Sequence, residues 1–201
     1  MKKIFKQAQK GLPSHCEASG GFTLIETLIA IFILTLTVGG LLTLAAGGYF
    51  SVRYARNQIV ADNLIQESLE YIRNTRDGAA QAGSGFWQTW QNQYTSCQTS
   101  SGCIIDPYTT TANAHVQACP SSGCPAITFW PSVGFYGYKT HSYANIGQGG
   151  SSPYDTSYIR TVTMKAGSNP DEVVVTASMT WFNGSSQKSA SQSILLANWN
   201  F

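Results

Sequence analysis

Two groups of side chains have the types and spacing to do chemistry. The first is a set of four cysteines, Cys97, Cys103, Cys119 and Cys124. The spacings Cys97-x5-Cys103 and Cys119-x4-Cys124 suit two local disulfides, although four cysteines allow three pairings. Two close pairs could also hold zinc tetrahedrally, but no histidine or basic residue is placed to support a metal, so disulfides are expected. The second is a single carboxylate, Glu26, close to the start of the apolar run "GGFTLIETLIAIFILTLTV". A charge in such a run costs roughly 2.5–3.5 kcal/mol at a bilayer centre and less near an end. Such an acid calls for a cation.

Other candidates are weaker. His115 and His141 are isolated, with no carboxylate or nucleophile at a telling spacing, and there is no phosphate loop, acid pair or metal triad. Asp155, Asp171 and Glu172 could join backbone oxygens around calcium, though acids beside turns are usually solvated. The pattern predicts neither an enzyme nor a resident cofactor. Asn183-Gly184-Ser185 matches a glycosylation acceptor only formally.

The elements that must position these residues follow from charge and periodicity. From Thr27 to Val52 there are 26 consecutive uncharged residues, more than the roughly 20 that cross a bilayer as a helix. Lys2, Lys3, Lys6 and Lys10 precede the run, with Glu17 as the only acid before it. Of the 12 basic and 10 acidic side chains, residues 22–201 therefore keep eight and nine. The basicity belongs to the first 21 residues, and a nucleic-acid partner loses its support. Cys16 lies in that segment too, so setting it aside leaves an even number of cysteines. Lysines before the run place the N-terminus in the cytoplasm.

A secretory signal carries its small residues after the apolar stretch; here Gly20-Gly21 comes before it. Gly21-Phe22-Thr23-Leu24-Ile25-Glu26, behind a short basic leader and ahead of a long apolar helix, resembles the N-terminal signature of bacterial type IV prepilins and the related pseudopilins. The resemblance covers residues 1 to about 77 in detail and only general architecture beyond. It implies a prepilin peptidase that cuts between Gly21 and Phe22 and methylates the new amine on Phe22. The helix would anchor the subunit in the inner membrane and later form the filament core, with other pilin subunits and an inner-membrane assembly platform as partners. Staggered copies would then let the Phe22 amine of one meet Glu26 of another, so that the buried charge sets register. Pilins often carry a helix-breaking proline in the helix; this chain offers Gly39-Gly40 and Gly47-Gly48, which either aid close packing or let the helix unwind.

After Arg53 the helix becomes one-sided. Val60, Leu64, Ile65, Leu69 and Ile72 recur at helical spacing, Glu70–Arg73 and Arg73–Asp77 are local charge pairs, and Gly78 is a plausible stop. Residues 79–156 read as a loop-dominated, cysteine-braced region with aromatic patches. From Ser157 three strands are predicted, with Val173, Val175, Ala177, Met179 and Trp181 on one face. Turns are expected at Gly167-Ser168-Asn169-Pro170 and Asn183-Gly184. Trp181 and Met179 could line a cofactor pocket, but core packing is the simpler reading.

The expected fold is α+β. It comprises a cleaved leader (1–21), an apolar membrane or filament-core helix (22–52), an amphipathic continuation (53–78), the cysteine-containing loops (79–156) and an antiparallel sheet (157–201). The expected function is a structural subunit, a minor pilin, in the inner membrane as a single-pass protein before assembly and in an extracellular or periplasmic filament afterwards. The alternatives are a pseudopilin of a type II secretion or DNA-uptake system, and a membrane-tethered adhesin or enzyme.

Overall fold

The computed structural model describes residues 21–81, 83, 85–111, 113–144 and 152–199; the basic leader before Gly21, with Cys16, lies outside them. The chain divides into two compact units, residues 1–49 and 50–201. One helix, α1 (Leu24–Ala80), provides the described part of the first unit and opens the second.

In the first unit every described residue is exposed, and the helix is long and apolar enough to cross a membrane. It runs through Gly39-Gly40 and Gly47 without a break, and a Cβ at any of these would meet nothing within 4 Å. Its threonines are internally satisfied. The hydroxyls of Thr27, Thr35, Thr37 and Thr43 donate to the carbonyls of Leu24, Phe32, Leu34 and Gly40 at 2.8–2.9 Å, which suits a surface facing an apolar medium.

The second unit is an α+β fold in which the amphipathic part of α1 packs on a small antiparallel sheet. The helix contributes Ala61, Leu64, Ile65, Leu69 and Ile72 to the core, with Ser68 buried among them. Three long strands form the body of the sheet: β5 (Tyr154–Ala166), β6 (Glu172–Asn183) and β7 (Ser186–Ala197). Along β6 the alternation puts Val173, Val175, Ala177, Met179 and Trp181 inward, all buried. Met179 and Trp181 are therefore core residues.

The β6–β7 hairpin closes on Gly184-Ser185, flanked by the pair Asn183↔Ser186. Gly184 takes φ 65° at the first of the two loop positions, the arrangement of a type II′ hairpin. The turn thus lies one residue beyond the Asn-Gly reading.

Residues 79–156 are more structured than a loop region. They hold α2 (Phe86–Gln93), a 3-10 turn (Thr95–Gln98) and four short strands, β1 (Cys103–Ile105), β2 (Val116–Ala118), β3 (Ala126–Trp130) and β4 (Phe135–Gly137). Among the described residues the sheet accordingly has seven strands instead of three. One edge of β5 pairs with β6; its other edge is shared by β3, beside Tyr154–Ile159, and β1, at Val162. Phe86, Trp87 and Trp90 bury the inner face of α2, and Trp90 Nε1 donates to Thr75 Oγ1 of α1 at 3.3 Å.

Candidate functional site

In the first unit, Gly21 and Phe22 precede the helix and are exposed. Thr23 starts it: its carbonyl accepts from the amides of Glu26 (3.1 Å) and Thr27 (3.2 Å), and its hydroxyl from Glu26 N at 3.3 Å, an N-cap arrangement. Glu26 sits in the first turn, where the helix dipole favours an anion. Between Leu24 and Gly48 the only polar side chains are Glu26 and the four threonines. The threonines are satisfied on their own helix. Glu26 alone has oxygens that accept nothing from it among the described residues. Around it, Phe22, Leu24, Ile25, Leu28 and Ile29 are all more than half exposed.

In the second unit the four cysteines form two local disulfides, Cys97–Cys103 and Cys119–Cys124, each with Cα atoms 4.6 Å apart. The calcium reading is not supported by geometry. Asp155, near the start of β5, accepts from Thr128 Oγ1 at 2.8 Å and pairs with Lys139 at 2.9 Å. These partners hold its carboxyl below the usual range, Lys139 most of all. Asp171 in the turn at the far end of β5 and Glu172 at the start of β6 are engaged with Asn198 and Asn169. No group of three metal-ligating side chains occurs among the described residues. Of the helix charge pairs, Glu70–Arg73 forms at 2.5 Å, but Asp77 is taken by Arg76 at 2.6 Å instead of by Arg73, because adjacent Arg76 reaches it.

His141 is not isolated. Asp106, 35 positions earlier, accepts from His141 Nδ1 at 2.5 Å and from the Tyr143 hydroxyl at 2.6 Å, and both members of the His–Asp pair are buried. The carboxylate can only accept, so Nδ1 carries a proton. Burial, and then Asp106, push the Tyr143 pKa far up. His141 Nε2 lies 3.3 Å from Gln117 Oε1, so the other ring nitrogen meets an amide and not a nucleophile. The group ties residues 106–117 to residues 138–143. Backbone and hydroxyl bonds reinforce it, from Thr110 N to Ser142 O at 2.7 Å and from Ser142 N to Thr111 Oγ1 at 2.8 Å. His115 stacks on Tyr71 at 5.9 Å and reaches the Asp106 carbonyl at 2.9 Å.

A second buried charge stands at the centre of the sheet. Arg160 of β5 donates to Glu67 at 2.8 Å, to the Leu64 carbonyl at 2.7 Å and to the Ile105 carbonyl. Arg160 is legible in the sequence. The alternation of "YIRTVTMK" puts Arg160 in phase with Tyr158, Val162 and Met164, and a charge on an apolar face requires a buried partner.

Two clefts open beside Glu67. One, of about 540 Å³, is lined by Leu64, Glu67, Tyr108, Phe135, Tyr136 and Tyr143, with Val133, Gly134 and Ala144. The other, of about 640 Å³, shares Glu67 and Tyr108 and adds Glu70, Tyr71 and the amides of Asn63, Gln66 and Asn74. The charge of Glu67, with some burial, raises the Tyr108 pKa. Gly137 is needed for this arrangement, since a Cβ there would strike the Tyr143 ring.

Comparison of the chain with protein-family models, with curated proteins and with solved structures returns no match.

Proposed function

We propose that the chain is a structural subunit of a type IV pilus or related filament, a minor pilin, cut between Gly21 and Phe22 and N-methylated on Phe22 by a prepilin peptidase. The observation that carries this reading is the state of Glu26. Among the described residues it is the one polar side chain of Leu24–Gly48 whose oxygens make no hydrogen bond, in the first helical turn and the fifth residue after the proposed cut. Cleavage creates an α-amine on Phe22, and a neighbouring copy's amine is a cation that could neutralise the acid.

The bare apolar surface of the helix supports the same reading. A run of exposed leucines, isoleucines and phenylalanines needs either lipid or other copies of itself. Before assembly it crosses the inner membrane with the lysine-rich leader in the cytoplasm. The two disulfides favour an oxidising compartment for the folded unit.

The test is Glu26→Gln in the native host. Membrane insertion and leader removal continue, while recovery of the subunit in sheared filaments falls to background. Recovery equal to the unsubstituted chain would overturn the register role.

A further inference from the structure

We propose that the folded unit carries a binding site for an organic ammonium ion, in the cleft walled by the rings of Tyr108, Phe135, Tyr136 and Tyr143 and by the carboxylate of Glu67. Every residue of the site belongs to residues 50–201, so the proposal stands apart from the filament reading.

The size suits a small ligand: about 540 Å³ falls within the roughly 300–1,000 Å³ of ordinary ligand pockets. The rings stand at steep angles to one another and cannot collapse into a stack. Tyr108 meets Phe135 at 5.7 Å and 75°, and Phe135 meets Tyr143 at 4.9 Å and 65°. Two of them are also fixed in place. Tyr143 is held by Asp106 and by the Tyr138 amide at 2.5 Å. Tyr136 packs against Phe129 at 4.7 Å.

The electrostatics choose the ligand's sign. Among the described residues no lysine, arginine or histidine lines this cleft or its neighbour, whereas Glu67 lines both and Glu70 the second. Arg160 lies behind Glu67, buried, with its Nη donors directed at Glu67 and at two carbonyls. It fixes one carboxylate oxygen and leaves the other, Oε1, without an Arg160 bond. A phosphate or carboxylate ligand would find no counter-charge. A neutral sugar would find few donors, because the Tyr143 hydroxyl is committed to Asp106 and the Tyr108 hydroxyl faces Glu67. A methylated ammonium group needs neither: its diffuse charge and apolar exterior fit ring faces and a carboxylate.

Choline, its uncharged isostere 3,3-dimethyl-1-butanol and methyl glucoside are titrated into the full chain by calorimetry. The chain is held in a polyoxyethylene detergent, which carries neither ammonium nor sugar. Choline is expected to bind and the isostere to bind about ten-fold more weakly or not at all. Tyr108→Ala, at an exposed ring, weakens choline by about five- to thirty-fold with near-ultraviolet dichroism retained. Glu67→Gln weakens it further, and if that variant misfolds through loss of the Arg160 pair, Tyr108→Ala decides alone. The proposal is overturned by no choline binding, by equal binding of the isostere, by binding of the glucoside alone, or by an unaffected Tyr108→Ala.

Discussion

Arg160 and Glu67, 93 positions apart in the chain, meet at 2.8 Å inside the folded unit. The same guanidinium donates to the carbonyls of Leu64 and Ile105. One side chain thereby joins α1, β1 and β5, and its energetic role can be separated from mere burial.

Arg160→Met leaves Glu67 and two carbonyls without their donor and should lower stability by about 3–5 kcal/mol, as for breaking other buried pairs. Adding Glu67→Leu should recover a large part of that loss, because replacing both charges by apolar groups is often close to neutral. Denaturant unfolding of the single and double variants, followed by tryptophan fluorescence, reads the difference. A double variant no better than the single would contradict the ion-pair account.

Gly102 has φ 69°, and a Cβ there would lie 2.7 Å from both the Val162 carbonyl oxygen and Thr161 Cγ2. Gly102→Ala should therefore cost more than about 2 kcal/mol, the left-handed strain adding to the overlap. It should also weaken the bond from Cys119 N to the Gly102 carbonyl, now 3.0 Å. Thermal unfolding and exchange of the Cys119 amide would both report it.

The disulfides differ in setting. Cys97 and Cys103 are fully buried, while Cys119 and Cys124 sit at the margin of the core. Loop closure over separations of 6 and 5 residues gives about 2 kcal/mol for each by chain entropy. Replacing Cys97 and Cys103 by alanine should cost more than this, through the lost packing. Replacing Cys119 and Cys124 should cost close to it. Equal losses would show that packing at the first bridge contributes nothing.

Burial raises the hydroxyl pKa of Tyr94, Tyr138, Tyr143 and Tyr158, the last to about 12. In the unfolded chain a tyrosine ionises near pH 10, so above that pH the unfolded state releases protons first and ΔG of unfolding falls. The melting temperature should hardly change between pH 7 and about 9 on their account and should decline above about 10. Tyr158→Phe, which also loses the bond to the Asn57 carbonyl at 3.2 Å, should make the decline shallower.

Much of this fold is legible in the sequence, and the rest is hidden for identifiable reasons. The long strands β5, β6 and β7 show period-two burial over 12 or 13 residues, and the helix stripe from Leu64 to Ile72 stands at helical spacing. By contrast, β1 is three residues, all buried, and a run that short has no period to detect. Its pairing with Val162 spans almost 60 positions, which no local pattern encodes. The Asp106–His141 contact is hidden in the same way, since only the folded β1, β2 and the 138–143 segment bring the two together. Arg160 was available: a charge in phase with buried neighbours points to a partner, although not to which one.

The proposed filament role rests on Glu26, a carboxylate in an apolar helix, and on the proposal that processing at Gly21–Phe22 supplies its cation. Mass spectrometry of the N-terminus of the protein purified from its native membrane tests this most directly. The account predicts a mature chain that begins with N-methylated Phe22. A chain that still begins at Met1, or that is cut beyond the apolar run, would contradict it.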